Sequence, residues 1–137
     1  MKLVLLILTF TLAAIGCMAQ NTITVNMKGF DSNEGTVRVG LYDKTGDFLN
    51  KAYKSRSSEI SEKMAAVTFT DVPDGTYAIS CFHDQNNDGE LDMFMGVMPA
   101  EDYGCSNGAK GFFGPPKWED AKFVLTGGKT KTVNISL

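Results

Sequence analysis

The chain has 137 residues, a net charge of −3, 43% hydrophobic residues and three cysteines. It shows no Lys/Arg cluster, so it lacks the phosphate-neutralising charge that nucleic-acid binding requires, and no nucleic-acid partner is expected. Its length suits one domain with one core and not two.

Met1 and Lys2 precede an apolar run from Leu3 to Ile15, interrupted only by Thr9 and Thr11. Such a run is shorter than the roughly 20 residues of a bilayer span, and one Lys before it with small residues after it is the layout of a cleaved export signal. Two cleavage points compete. Cys17-Met18-Ala19 before Gln20 offers small residues to a signal peptidase, giving a signal over 1–19 and a domain over 20–137; this is the preferred reading. Ala14-Ile15-Gly16-Cys17 instead resembles a lipobox with Ala at its first position, which would end the signal at 16 and place a lipid anchor on Cys17. Either product is exported to the periplasm, the envelope or the medium, without a membrane span. Removing the first 19 residues leaves 118, with 12 cations against 16 acids and a net charge of −4.

Beyond the signal the apolar residues repeat with period two. Thr22 to Lys28 alternates strictly, and after the turn-rich Asp31-Ser32-Asn33-Glu34-Gly35 the stretch Thr36 to Tyr42 alternates again. These predict an antiparallel hairpin with Ile23, Val25, Met27, Val37, Val39 and Leu41 in the core. Residues 43–63 are polar and predict a surface connection with one helical turn. A strand over Met64 to Thr70 leads through Pro73-Asp74-Gly75, a tight turn, into a strand over Tyr77 to His83 that is apolar on both faces and therefore central. After an irregular Gly-, Pro- and Asn-rich region from Asn86 to Pro116, strands are expected over Ala121 to Leu125 and, past Gly127-Gly128, over Thr130 to Leu137 with Val133, Ile135 and Leu137 facing in. About seven strands separated by turns predict an all-β antiparallel sandwich carrying one long loop region. A loop that long inside a compact domain calls for internal bracing or a function.

The chemistry concentrates where the central strand ends. Asp84, Asn86 and Asp88 place oxygen-bearing side chains two apart, followed by Gly89, Glu90, Leu91 and a final carboxylate at Asp92. Calcium takes six to eight oxygens at about 2.3 to 2.6 Å, and an arc of alternating carboxylates and amides supplies them if Gly permits a sharp bend. Asp84, Asn86, Asp88 and Asp92 are the side-chain ligands, Glu90 adds its backbone carbonyl, and Leu91 anchors the arc. Met95 stands where an EF-hand has its bidentate Glu, so a complete EF-hand is rejected; Glu101 or Asp102 would supply the missing ligand. The bland reading, a polar turn chosen for backbone reasons, explains fewer of these residues.

Other groupings carry less. His83 with Cys81 and Cys105 has no second His and no Cys-x-x-Cys, which argues against zinc or copper and for a hydrogen-bonded structural histidine. Cys81 and Cys105 either pair as a disulfide in an oxidising compartment or stay apart, Cys81 as a buried strand residue and Cys105 as a loop thiol. A hydrolytic site from His83, Asp84, Asp92 and Glu101 is the enzymatic alternative to a non-enzymatic module. Tyr103, Phe112, Phe113 and Trp118 form either a platform for a glycan or peptide or, as preferred, a cover over an open end of the fold.

The strand Val37 to Tyr42, Pro73-Asp74-Gly75-Thr76-Tyr77, the run His83 to Asp92, Gly96 with Pro99, Glu101 with Tyr103-Gly104, Ser106-Asn107, and Phe113-Gly114-Pro115-Pro116 through Asp120-Ala121 together resemble the bacterial family catalogued as domain of unknown function 2141. The resemblance covers essentially the whole chain after the signal. It implies an exported β-sandwich, with a Pro-x-Gly-x-Tyr turn similar to that of transthyretin-like sandwiches, and it implies no particular activity. The expected role is a calcium-stabilised module meeting an unknown protein or glycan at the cell envelope.

Overall fold

The computed structural model describes residues 19–96 and 98–137, so the apolar N-terminal run and Cys17 lie outside the described residues. The fold is all-β with almost no helix. Its strands are β1 (Asn21–Lys28), β2 (Thr36–Tyr42), β3 (Lys54–Glu59), β4 (Met64–Val72), β5 (Gly75–Asp84), β6 (Met93–Phe94), β7 (Met98–Pro99), β8 (Tyr103–Cys105), β9 (Phe123–Leu125) and β10 (Thr130–Ser136). One helical turn, α1 (Trp118–Ala121), precedes β9.

Two sheets share one core. The smaller has the order β10-β1-β4; the larger has the order β3-β2-β5-β8, with β9 also paired to β5. Period-two side chains from both sheets meet between them: Ile23, Val25 and Met27 from β1, Phe69 from β4, Val37, Val39 and Leu41 from β2, and Ile79 and Cys81 from β5 are all buried. The six residues expected in the core from β1 and β2 are each at most 2% exposed. β5 is central as predicted, with β2 along one side and β8 and β9 along the other.

Four expectations need correction. β1 and β2 do not form a hairpin: β1 lies between β4 and β10, and β2 between β3 and β5. The connection carries the buried Phe30 and crosses from one sheet to the other. Alternation reveals which face of a strand is buried and leaves its neighbour undetermined. The sheets are also not wholly antiparallel, because β1 and β10 run parallel from Thr22–Thr130 to Lys28–Ser136. The chain enters β10 from the other sheet, so no hairpin dictates its direction. Residues 43–63 do contain a helical turn, Thr45–Asp47, but Lys54–Glu59 is a strand on the sheet edge, where charged side chains suit its open side. It joins β4 through Glu62 and Lys63, whose φ angles of 53° and 57° make a left-handed two-residue turn. Finally, Ala121 belongs to α1, and the strand after it begins at Phe123.

A second apolar cluster lies on the other face of the larger sheet, where Ala78, Cys105, Ala109, Trp118 and Ala121 pack with Tyr42 and Phe48. The Ser106 hydroxyl ties it together, accepting from Ile79 N at 3.0 Å and donating to Ala121 O at 2.6 Å. Cys105 is accordingly a buried residue at the end of β8 and not a loop thiol. The disulfide is not formed: Cys105 is opposite Ser80, while Cys81 is opposite Gly104, so the two thiols are buried in different clusters and both are free.

Leu41→Ala is expected to cost about 2 to 5 kcal/mol in denaturant unfolding, because its site is closed on all sides. Val124→Ala, at a position 68% exposed on β9, should cost less than about 0.5 kcal/mol. Equal losses would contradict this placement of the core.

Candidate functional site

Register builds the site at the C-terminal end of β5. Arg38 pairs with Phe82 and Thr36 with Asp84, so Arg38 and Asp84 are diagonal neighbours on the outer face of the larger sheet. Arg38 Nε donates to Asp84 Oδ2 at 2.5 Å. The same oxygen accepts from Gly89 N at 2.9 Å, and Asp84 Oδ1 accepts from Asp88 N at 3.1 Å. Burial alone would raise the Asp84 carboxyl, but these three donors and the Arg38 charge hold it below its ordinary range. Left-handed backbone at Asn87, φ 55°, and at Gly89, φ 82°, turns the chain so that the Asp88 and Gly89 amides point at one carboxylate. Thr36 Oγ1 donates to Asn87 Oδ1 at 3.0 Å and pins the bend to β2.

Glu101 braces the loop from its other end. Its side chain is buried, with Oε1 accepting from Gln85 N and Oε2 from Asp92 N, each at 3.1 Å. Asp88 Oδ1 accepts from Glu90 N at 2.9 Å, so the loop engages the backbone of Glu90 while its side chain is exposed. Leu91 is half-buried. The Asn86 side-chain amide lies between two carboxylates, donating to Asp92 Oδ2 at 2.8 Å and Asp88 Oδ2 at 3.3 Å. Partial burial, then the charge of Asp88 and a hydrogen bond shared with its carboxyl, then the charge of Glu101 raise the Asp92 carboxyl, and the Asn86 amide offsets this only in part. Among the described residues the ion pairs are Arg38–Asp84 and Lys122–Glu119, so no Lys or Arg neutralises Asp88 or Asp92.

The predicted ligands therefore separate into two sets. Asn86, Asp88 and Asp92 come together, whereas Asp84 and Glu101 face backbone amides. Asp102 lies elsewhere, next to Asp31; burial and that second carboxyl raise it, and His83 nearby opposes the rise. Among the described residues no three His, Cys, Asp or Glu side chains gather around one point. Sequence reasoning missed Arg38, whose outward strand position looks like any solvated charge until the register sets it beside Asp84.

His83 is fully buried, with Nε2 donating to Glu34 O at 2.7 Å and its ring edge-on to Phe30. Burial, reinforced by Cys105, pushes the Cys81 thiol up to about 12, which keeps it protonated and non-nucleophilic at neutral pH. The aromatic residues do not share one surface. Tyr103 pairs with Phe82 in the sheet, Trp118 is buried, and Phe112 and Phe113 stand 85% and 115% exposed. Trp118 thus covers the fold as preferred above, and the two phenylalanines do not.

Asp84→Asn should lower stability at pH 7 by about 1 to 3 kcal/mol, measured by denaturant unfolding, because the bond to Arg38 loses its charge. A carboxyl held below its unfolded value of about 3.9 stabilises above that pH, and this contribution disappears as pH falls through the lower folded value. The gap between wild type and variant should therefore be constant from pH 7 to 5 and narrow below about pH 4; a gap that widened in acid would refute the assignment.

No helix among the described residues is long and apolar enough to cross a membrane. No curated protein and no solved structure matches the chain. Residues 25–134 match the family described as uncharacterized protein conserved in bacteria, DUF2141, and the chain belongs to that family.

Proposed function

We propose that the chain is an exported, non-enzymatic β-sandwich module in which the loop over 84–92 binds calcium as a structural ion. The observation that carries this reading is the pair Asp88 and Asp92, two carboxylates without a cationic partner, bridged by the amide of Asn86. An NH₂ group is a weak positive partner for two carboxylates, and a divalent cation in its place would relieve the repulsion that raises Asp92. Rotating the Asn86 amide would present its carbonyl oxygen, so the three side chains supply the hard oxygens calcium favours, with backbone carbonyls and water completing the shell. Asp84 is already compensated by Arg38 and would order the loop without being the principal ligand.

The non-enzymatic reading draws on the hydrogen bonds of the alternative catalytic set. His83 is tied to Glu34 O, Asp84 to Arg38, and Glu101 to two backbone amides, which occupies three of the four; Asp92, the fourth, is held by the Asn86 amide and has no base or acid of the set beside it that is free to act with it.

An ion that binds only the folded state adds about 2.7 kcal/mol at one hundred times its Kd, of order 10 °C in Tm for a domain of this size. Calcium titration followed by scanning calorimetry should show that rise, and Asp88→Asn with Asp92→Asn should abolish it while leaving Tm in chelator unchanged or slightly higher. A wild-type Tm indifferent to millimolar calcium would sink the proposal.

A further inference from the structure

Between the buried residues Ala109 and Pro116 the chain leaves the body of the protein as a short projecting loop, Lys110-Gly111-Phe112-Phe113-Gly114-Pro115. Its arms close tightly, since a Cβ on Gly111 would lie 1.7 Å from Gly114 O. Phe113 takes φ 60°, a left-handed conformation unusual for a bulky side chain, and both phenylalanines are in full contact with solvent. The base is firm: Trp118 is buried against Phe48, and Asn107 donates to Asp120 O and Lys122 O. A fold that buries one aromatic of this segment while projecting two others has pre-organised them for contact outside itself.

We propose that this loop is a membrane-surface contact, with Phe112 and Phe113 entering the apolar edge of a bilayer while Lys110 and Lys117 meet anionic headgroups. Charge favours this occupant. Lys110 and Lys117 are the only charged residues between Asp102 and Glu119, on a chain that is acidic overall. Asp120 lines the groove beneath the loop together with both lysines, and Glu119 beside it is paired with Lys122. Chemistry favours it too. From 111 to 116 the side chains are Gly, Phe, Phe, Gly, Pro and Pro, with no hydrogen-bonding group among them, whereas protein interfaces carry about one hydrogen bond per 100–200 Å². Lipid asks only for apolar rings flanked by lysines that reach back to the headgroups. The proposal is independent of the calcium reading.

The test uses the full chain with Phe113→Trp as a reporter, after subtracting the emission of the buried Trp118 measured on the unsubstituted chain. Vesicles of phosphatidylcholine with phosphatidylglycerol should shift the reporter to the blue, and brominated acyl chains should quench it. The N-terminal apolar run can hold every variant to vesicles alike, so quenching at position 113 reads the loop itself. Lys110→Glu with Lys117→Glu, or vesicles of phosphatidylcholine alone, should reduce the quenching at least threefold. Absence of quenching, or quenching that ignores both changes, overturns the proposal. So does a blue shift that appears without vesicles and grows with protein concentration, which would mark the loop as a contact between copies of the chain.

Discussion

The carboxylate of Asp84 holds the acidic loop to the strand it leaves. A buried charge without partners costs several kcal/mol, which no small domain tolerates lightly. Here the charge is met by Arg38 across the sheet and by the amides of Asp88 and Gly89 from the loop. β2, the end of β5 and the first turn of the loop are thereby fastened at one point. Glu101 repeats the device at the other end, where Gln85 and Asp92 donate to it. Two carboxylates thus satisfy four backbone amides of a segment that has almost no regular structure of its own.

This arrangement divides the acidic residues by role. Asp84 and Glu101 are buried and turned inward, their oxygens occupied by the protein. Asp88 and Asp92 form a second tier, bridged by the Asn86 amide and, among the described residues, without a cationic side chain. The proposed ion would sit in that second tier, so calcium and Arg38 do not compete for the same carboxylate. In that proposal the Asp84 and Glu101 bonds brace the loop independently of the ion, which would tighten this structure through the second tier.

The parts of the fold legible in the sequence are those decided by side-chain alternation and turn chemistry. Ile23, Val25 and Met27 announce one face of β1, and Pro73-Asp74-Gly75 marks the entry to β5. Pairing was not legible, because the alternation of β1 is satisfied equally by β2 or by β4 and β10. β3 was hidden by its polar sequence, Lys-Ser-Arg-Ser-Ser-Glu, which reads as a loop until its edge position is known. The turn after it was hidden as well, since Glu62-Lys63 lacks the Asn-Gly signature while adopting the same left-handed geometry. For the site, spacing identified the residues but not their directions. Asp84 and Asp88 are both acids two positions apart from Asn86, and only the position of Arg38 separates the buried one from the open one.

Charge is distributed along β5 in a way that gives the molecule two unlike regions. The acidic loop departs from Asp84, whereas Ala78, six residues earlier, packs with Trp118 at the foot of the Phe112-Phe113 loop. At about 3.3 Å per residue these footings are about 20 Å apart, about two and a half Debye lengths at physiological salt. The lysines of the aromatic loop therefore do little to neutralise Asp88 and Asp92, and the carboxylates do little to repel an anionic surface from the lysines. Each region can act through its own local field on one rigid strand, and a change in one need not be felt as a change in the other.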